Sequence, residues 1–132
     1  MTSALESVQQ ALMTQLQTHV ELMAMVSGIY DGPPARAEFP YLAMATGATA
    51  DWSHKSKDGR ELSLAMAVYD DGESASRLHR AMALVEEALA PGLPSVADWQ
   101  IVTFNFRRTR ILRSTTGPWT GLVEYRARCL KN

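Results

Sequence analysis

The sequence is short of the features that most often announce a chemistry. Cys129 is its only cysteine in 132 residues, so no disulfide can close within the chain and no cysteine cage can hold zinc. Nothing requires an oxidising compartment. His19, His54 and His79 are its only histidines, and none forms the i, i+4 pair of helical metal ligands. No Gly-x-Gly-x-x-Gly, phosphate-binding loop, Gly-x-Ser-x-Gly elbow or Cys-x-x-Cys occurs. No apolar run approaches the roughly twenty residues of a membrane span. The first helical segment alternates Leu5, Val8, Leu12, Leu16, Val20 and Met23 with Glu6, Gln9, Gln10, Gln15, Gln17 and Glu21, an amphipathic pattern unlike a signal peptide. These absences exclude the familiar catalytic and cofactor-binding classes. They leave a soluble chain made in the cytoplasm, with no catalytic residues, no metal and no cofactor expected.

What is present is a strand followed by a helix. Leu62, Leu64, Met66 and Val68 alternate along one face of a strand that ends at Tyr69-Asp70-Asp71-Gly72. Ala75, Leu78, Met82, Val85 and Leu89 then recur at three- and four-residue intervals and line one helical stripe. Asp71 and Gly72 are expected to cap that helix, with Glu73 placing negative charge at its positive end. Asp70 and Asp71 read as part of this helix start in preference to an acid and base pair.

Around this unit the sequence predicts one helix from about Ser3 to Val26, opened by Ser3 and Glu6 at capping-box spacing and stopped by Ser27-Gly28. Asp31-Gly32-Pro33-Pro34 forces a turn. A strand runs from Tyr41 to about Ala48 and is expected to pair with Arg60 to Tyr69. After the second helix, Pro91-Gly92-Leu93-Pro94 stops the pattern, and a strand resumes from Trp99 to about Thr109 with Val102, Phe104 and Phe106 on one side. Trp119 to Leu130 alternates most cleanly, with Gly121, Val123, Tyr125, Ala127 and Cys129 on one face and Leu122, Glu124, Arg126 and Arg128 on the other. Ser114 to Pro118 links these two strands. Together the elements predict an α+β fold over residues 1–132 as a single domain, an antiparallel sheet of about four strands with two helices packed on one face.

Charge is divided unevenly. Residues 1–99 carry six Lys/Arg against thirteen Asp/Glu, whereas residues 100–132 carry seven Lys/Arg against Glu124 alone. Arg107, Arg108, Arg110 and Arg113 stand close together with no acid between them. Such a cluster suits phosphate or an acidic partner, and equally a solvated or intersubunit salt-bridged hairpin. Phe104-Asn105-Phe106 invites comparison with base-stacking sheets, but the glycine-rich signature of those modules is missing and core packing is the better account. Asp51 to Gly59 is too long and polar for a tight hairpin, and loops of this kind move or bind. Within it Trp52 is the candidate anchor of an interface, with His54, Lys55 and Lys57 beside it.

The order of these elements resembles the tail-completion proteins of long-tailed phages, the tail terminators, including those of phage-like gene transfer agents. The residues that carry the resemblance are Gly28-Ile29-Tyr30-Asp31, Phe39-Pro40-Tyr41, Val68-Tyr69-Asp70-Asp71 before Glu73-Ser74-Ala75-Ser76, and Trp119-Thr120-Gly121-Leu122-Val123-Glu124-Tyr125. The resemblance implies a structural, non-enzymatic homo-oligomer, a ring that is typically hexameric. That ring would sit in the tail and neck of the particle, between the tail-tube protein and a head-proximal stopper, with DNA passing transiently and without sequence preference through its hole. No membrane is involved. The alternative reading is a small nucleic-acid-binding domain that uses the basic C-terminal hairpin.

Overall fold

A computed structural model describes residues 2–45, 47–113 and 115–132. Three helices, α1 (Ala4–Gln17), α2 (Val20–Met25) and α3 (Ser76–Leu89), accompany the strands β1 (Ile29–Tyr30), β2 (Tyr41–Met44), β3 (Ala48–Asp51), β4 (Gly59–Asp70), β5 (Trp99–Arg113) and β6 (Trp119–Lys131). The expected α+β class is what forms. The expected four strands are six, and the expected two helices are three.

All six strands share one sheet, ordered β1-β2-β4-β6-β5, with β3 paired to β4 beside β2. The sheet is mixed rather than wholly antiparallel, because β1 runs parallel to β2. The strand expected from Tyr41 to Ala48 is therefore two short ones. β2 covers Met66 to Tyr69 of β4, and β3 covers Arg60 to Ser63. Thr46 lies outside the described residues, as does Ser114 in the β5–β6 turn. β6 holds the centre, paired along its length with β4 on one side and β5 on the other.

The single long helix expected from Ser3 to Val26 is broken at Thr18 and His19. Its start is as the capping pattern predicts, since Ser3 Oγ accepts the Glu6 N–H at 3.1 Å. At the break, the Thr18 hydroxyl donates to Gln15 O at 2.7 Å. His19 takes an extended backbone, and its Nδ1 accepts the Leu22 N–H at 3.1 Å, making a histidine the N-cap of α2. The cap of α3 also differs from expectation. The N-cap position is Ala75 and no side chain caps there, because residues 71–74 are used in the connecting turn. Asp70 and Asp71 instead accept hydrogen bonds from Arg77 in the first turn of α3.

The helices cover the sheet face that bears Leu62, Leu64, Met66, Val68, Val123 and Tyr125, joining them in one core with Val8, Leu12 and Leu16 of α1 and Leu78, Leu84 and Val85 of α3. Each fully buried aliphatic side chain here contributes about 1.5–3 kcal/mol of transfer free energy. The other sheet face carries no helix and is the surface on which function is to be sought.

Candidate functional site

The register of the sheet turns its bare face into a readable grid. Tyr41 of β2 lies beside Tyr69 of β4, Thr120 of β6 and Leu112 of β5. The next row toward the other end of the sheet reads Ala43, Ala67, Leu122 and Arg110, followed by Ala65, Glu124 and Arg108. Ser63, Arg126 and Asn105 come next, then Glu61, Arg128 and Thr103. One half of this face is thus aromatic, with Tyr41 stacked on Tyr69 at 5.0 Å and set edge-on to Tyr30 at 5.9 Å. The other half is arginine. Small alanines floor the ground between them.

A bulge in β5 contributes to the density of charge. The register passes from Phe106 opposite Tyr125 to Arg108 opposite Glu124, leaving Arg107 as an additional residue. In such a bulge two successive residues stand opposite one partner residue, so Arg107 and Arg108 both face Glu124. They line a shallow depression of about 250 Å³ with Ser63 and Glu124. Arg108 Nε donates to Glu124 Oε2 at 2.7 Å and Arg110 Nε to the same oxygen at 3.0 Å. Burial alone would raise the Glu124 pKa, but these hydrogen bonds outweigh it and hold the carboxyl below its ordinary value. Glu61 is likewise lowered, chiefly by the hydrogen bond from Arg128 Nε at 2.8 Å, with the charges of Arg126 and Arg107 adding to it. The two carboxylates thus have cations in excess around them. Arg126 Nε is shielded from solvent and makes no hydrogen bond among the described residues.

Of the arginines singled out by sequence, Arg107, Arg108 and Arg110 belong to this face. Arg113 does not. By alternation it lies on the helix-bearing side, where its guanidinium stacks on the Trp119 ring at 4.3 Å from the centroid. Arg126 and Arg128 complete the arginine half. The alternation of β6 had put them on one face with Glu124, but which strand lay beside them follows only from the three-dimensional pairing.

The Asp51 to Gly59 segment, expected to be too long for a tight hairpin, closes as one between β3 and β4, with Trp52 N–H donating to Gly59 O at 2.9 Å, and sits at the end of the same face. His54 and Lys57 exchange backbone hydrogen bonds at 2.8 and 3.2 Å, tightening its tip. Trp52 is half-buried within the chain itself. His54 meets its ring edge-on at 4.7 Å, and the Arg128 guanidinium lies 5.4 Å from its centroid. Gly59 is required here because a Cβ would come within 2.2 Å of Trp52 O. His54, Lys55 and Lys57 are exposed and border a depression of about 560 Å³ with Lys131. The loop and the arginine half are joined through the contact of Arg128 with Trp52.

Phe104 stacks on Tyr125 at 4.7 Å and Phe106 meets the same ring edge-on at 5.8 Å. This is packing on the helix-bearing side, as expected of Phe104, although Phe106 remains 48% exposed. Val102 does not share their face as expected: it is the additional residue of a second bulge and is exposed.

Residues 10–130 match the family model described as Tail completion protein gp17. The chain belongs to this family. It is also similar in fold to a chain in the structure described as the virion of a native gene transfer agent particle, with a TM-score of 0.88, 24% identity, and coverage of 98% of this chain and 99% of that one. The structure of the bacteriophage SPP1 gp17 protein superposes with a TM-score of 0.64 at 19% identity, covering 96% of this chain and 89% of that protein. No curated protein matches the sequence. Tail completion is a structural task, and the match runs from within α1 to the penultimate residue of β6.

Proposed function

We propose that this tail-completion protein acts as a tail terminator: a closed ring, hexameric, that caps the tail tube and joins it to a head-proximal stopper in a phage-like particle of the gene-transfer-agent kind. Residues 1–132 act as one unit, and DNA passes through the hole of the ring. The observation that carries this reading within the molecule is the two-sided sheet, with the helices on one face and an arginine-rich surface on the other. A channel through which DNA must move needs attraction to phosphate without readout of bases. Arg107, Arg108, Arg110, Arg126 and Arg128 outnumber the two carboxylates among them, Glu124 and Glu61, and the positive charge left over supplies that attraction without base readout. Trp52, His54, Lys55 and Lys57 form the contact with a neighbouring subunit or the tube, and Arg113 lies outside the channel.

The test replaces Arg107, Arg108, Arg110 and Arg126 together with glutamine. Tailed particles that assemble normally but deliver DNA poorly are the expected result. Particles that fail to join heads to tails would assign the arginines to subunit bridging, and normal assembly with normal delivery would reject a role for this face. The alternative of a free-standing nucleic-acid-binding domain predicts instead that the isolated monomer binds DNA with a steep salt dependence and is absent from particles.

A further inference from the structure

The sheet ends in two free edges of opposite character. β5 pairs only with β6, so fifteen residues from Trp99 to Arg113 present an open edge. At the far side β3 pairs only with β4, all four of its residues are exposed, and β1 shields β2 without reaching β3. Unpaired edges of this length invite strand addition and are usually blunted or covered. The helix layer also stops short of β5: α3 packs on β4 and β6, leaving Phe106 and Ile111 exposed on the helix side. A groove of about 300 Å³ opens there between Glu86 and Leu89 of α3, with Ala90 just after it, and the rings of Phe104, Phe106 and Tyr125.

We propose that the β5 edge of one subunit takes up the β3 edge of the next copy of this chain, so that the sheet continues from subunit to subunit around the ring. This rests on the ring reading above and names the contact that closes it. The topology fits such a repeat. β4 and β5 both run antiparallel to β6, and β3 runs antiparallel to β4, so neighbours in the same orientation bring β3 antiparallel to β5, the stronger ladder. A symmetric antiparallel β5–β5 pair is disfavoured, because a register centred near Thr109 would set Arg108 of each copy against Arg110 of the other. The β3 side offers Asp51 at the edge, and Asp31 and Glu38 in the segment that follows β1. The groove also finds an occupant. Gly47, next to β3, lies against Leu5 and Gln9 of α1, so α1 stands over that edge on the helix side. Continuing the sheet carries the neighbour's α1 toward the uncovered Phe106 and Ile111, as the helix layer continues with it.

Cysteine pairing reads this contact directly, because strands in register bring opposed Cβ atoms within disulfide reach. The native Cys129 is fully buried with its thiol pushed up to about 11 by burial, and stays silent. Ala50→Cys, on the bare face, is combined in one chain with Thr103→Cys or Asn105→Cys, and Thr49→Cys, on the helix side, with Thr109→Cys or Ile111→Cys; each double variant is oxidised at concentrations where native mass spectrometry shows oligomers. A ladder of cross-linked species from at least one double variant, about tenfold above either single variant, is the expected result. Phe106→Glu should weaken association by about tenfold or more while leaving the monomer's circular dichroism unchanged. Oligomers that form without a mixed cross-link, or in which Asn105→Cys or Thr109→Cys cross-links to itself, overturn edge pairing and leave the ring standing. A chain that remains monomeric at every concentration and on tail tubes overturns both.

Discussion

Asp70 has no exposed surface, and its charge is met by a single side chain. Arg77 Nε and Nη2 donate to Asp70 Oδ1 at 2.8 and 2.5 Å, while Oδ2 has no partner among the described residues. Removing Arg77 would leave a buried carboxylate unpaired, which costs far more than losing a surface ion pair. Arg77→Ala should therefore destabilise the protein by about 3 kcal/mol in denaturant unfolding, with Arg77→Lys recovering part of the loss. The same residue also takes Asp71, which explains why an acidic pair that reads as a helix cap is used as a clamp instead. Glu124 sets a different expectation. Its carboxyl is lowered in the folded chain, so the unfolded chain binds the proton more tightly, and the stability it contributes is complete above the ordinary glutamate range of about 4.3 and lost as pH falls through the folded value. Glu124→Gln should accordingly lose less stability than the parent chain between about pH 5 and pH 3, measured by urea unfolding at each pH.

At the scale of elements, legibility follows from how differently the two sides of each element are solvated. β6 is flanked by strands along its whole length, one face in the core and the other half-exposed, and its alternation from Gly121 to Cys129 is visible in the residues themselves. β5 is an edge whose register is interrupted twice, at Val102 and at Arg107, so no single period runs through it and its end at Arg113 is concealed. β3 is four small or polar residues with no buried side, and the break at His19 depends on an imidazole acting as a cap, a role its sequence context does not announce. Of the candidate site, the arginines were evident as a cluster. Their division between two faces was not, because that depends on the bulge. The bulge yields a sharp prediction. Deleting Arg107 leaves Phe106 opposite Tyr125 and Arg108 opposite Glu124 in a regular ladder, so the deletion should fold with less than about 1 kcal/mol lost. Deleting Thr109 would turn residues 110–113 or the residues before them to the wrong face, and should cost several times more in thermal or denaturant unfolding.

Over the whole molecule, apart from Val20 on α2, exposed large apolar side chains gather along β5 with its arginines, while the Trp52 loop lies at one end of the sheet and acidic residues spread across the remainder. Trp52 already has Arg128 and His54 against its ring, so its loss should alter the loop more than the core. Trp52→Ala is expected to reduce head-to-tail joining, counted in electron micrographs, while the monomer keeps its circular dichroism and unfolds within about 1 kcal/mol of the parent. Normal joining would remove Trp52 from the interface. The central place of β6 has a consequence for the order in which the molecule can be made. During synthesis β4 is present long before residues 119–131 exist, and β5 follows with no strand to join. Both strands lack their shared neighbour until the segment that belongs between them is made. The sheet cannot grow strand by strand along the sequence; it closes by insertion. A frameshift or stop codon ahead of Trp119 would thus remove the middle of the sheet and not its end, leaving a product that no chaperone could bring to the native fold.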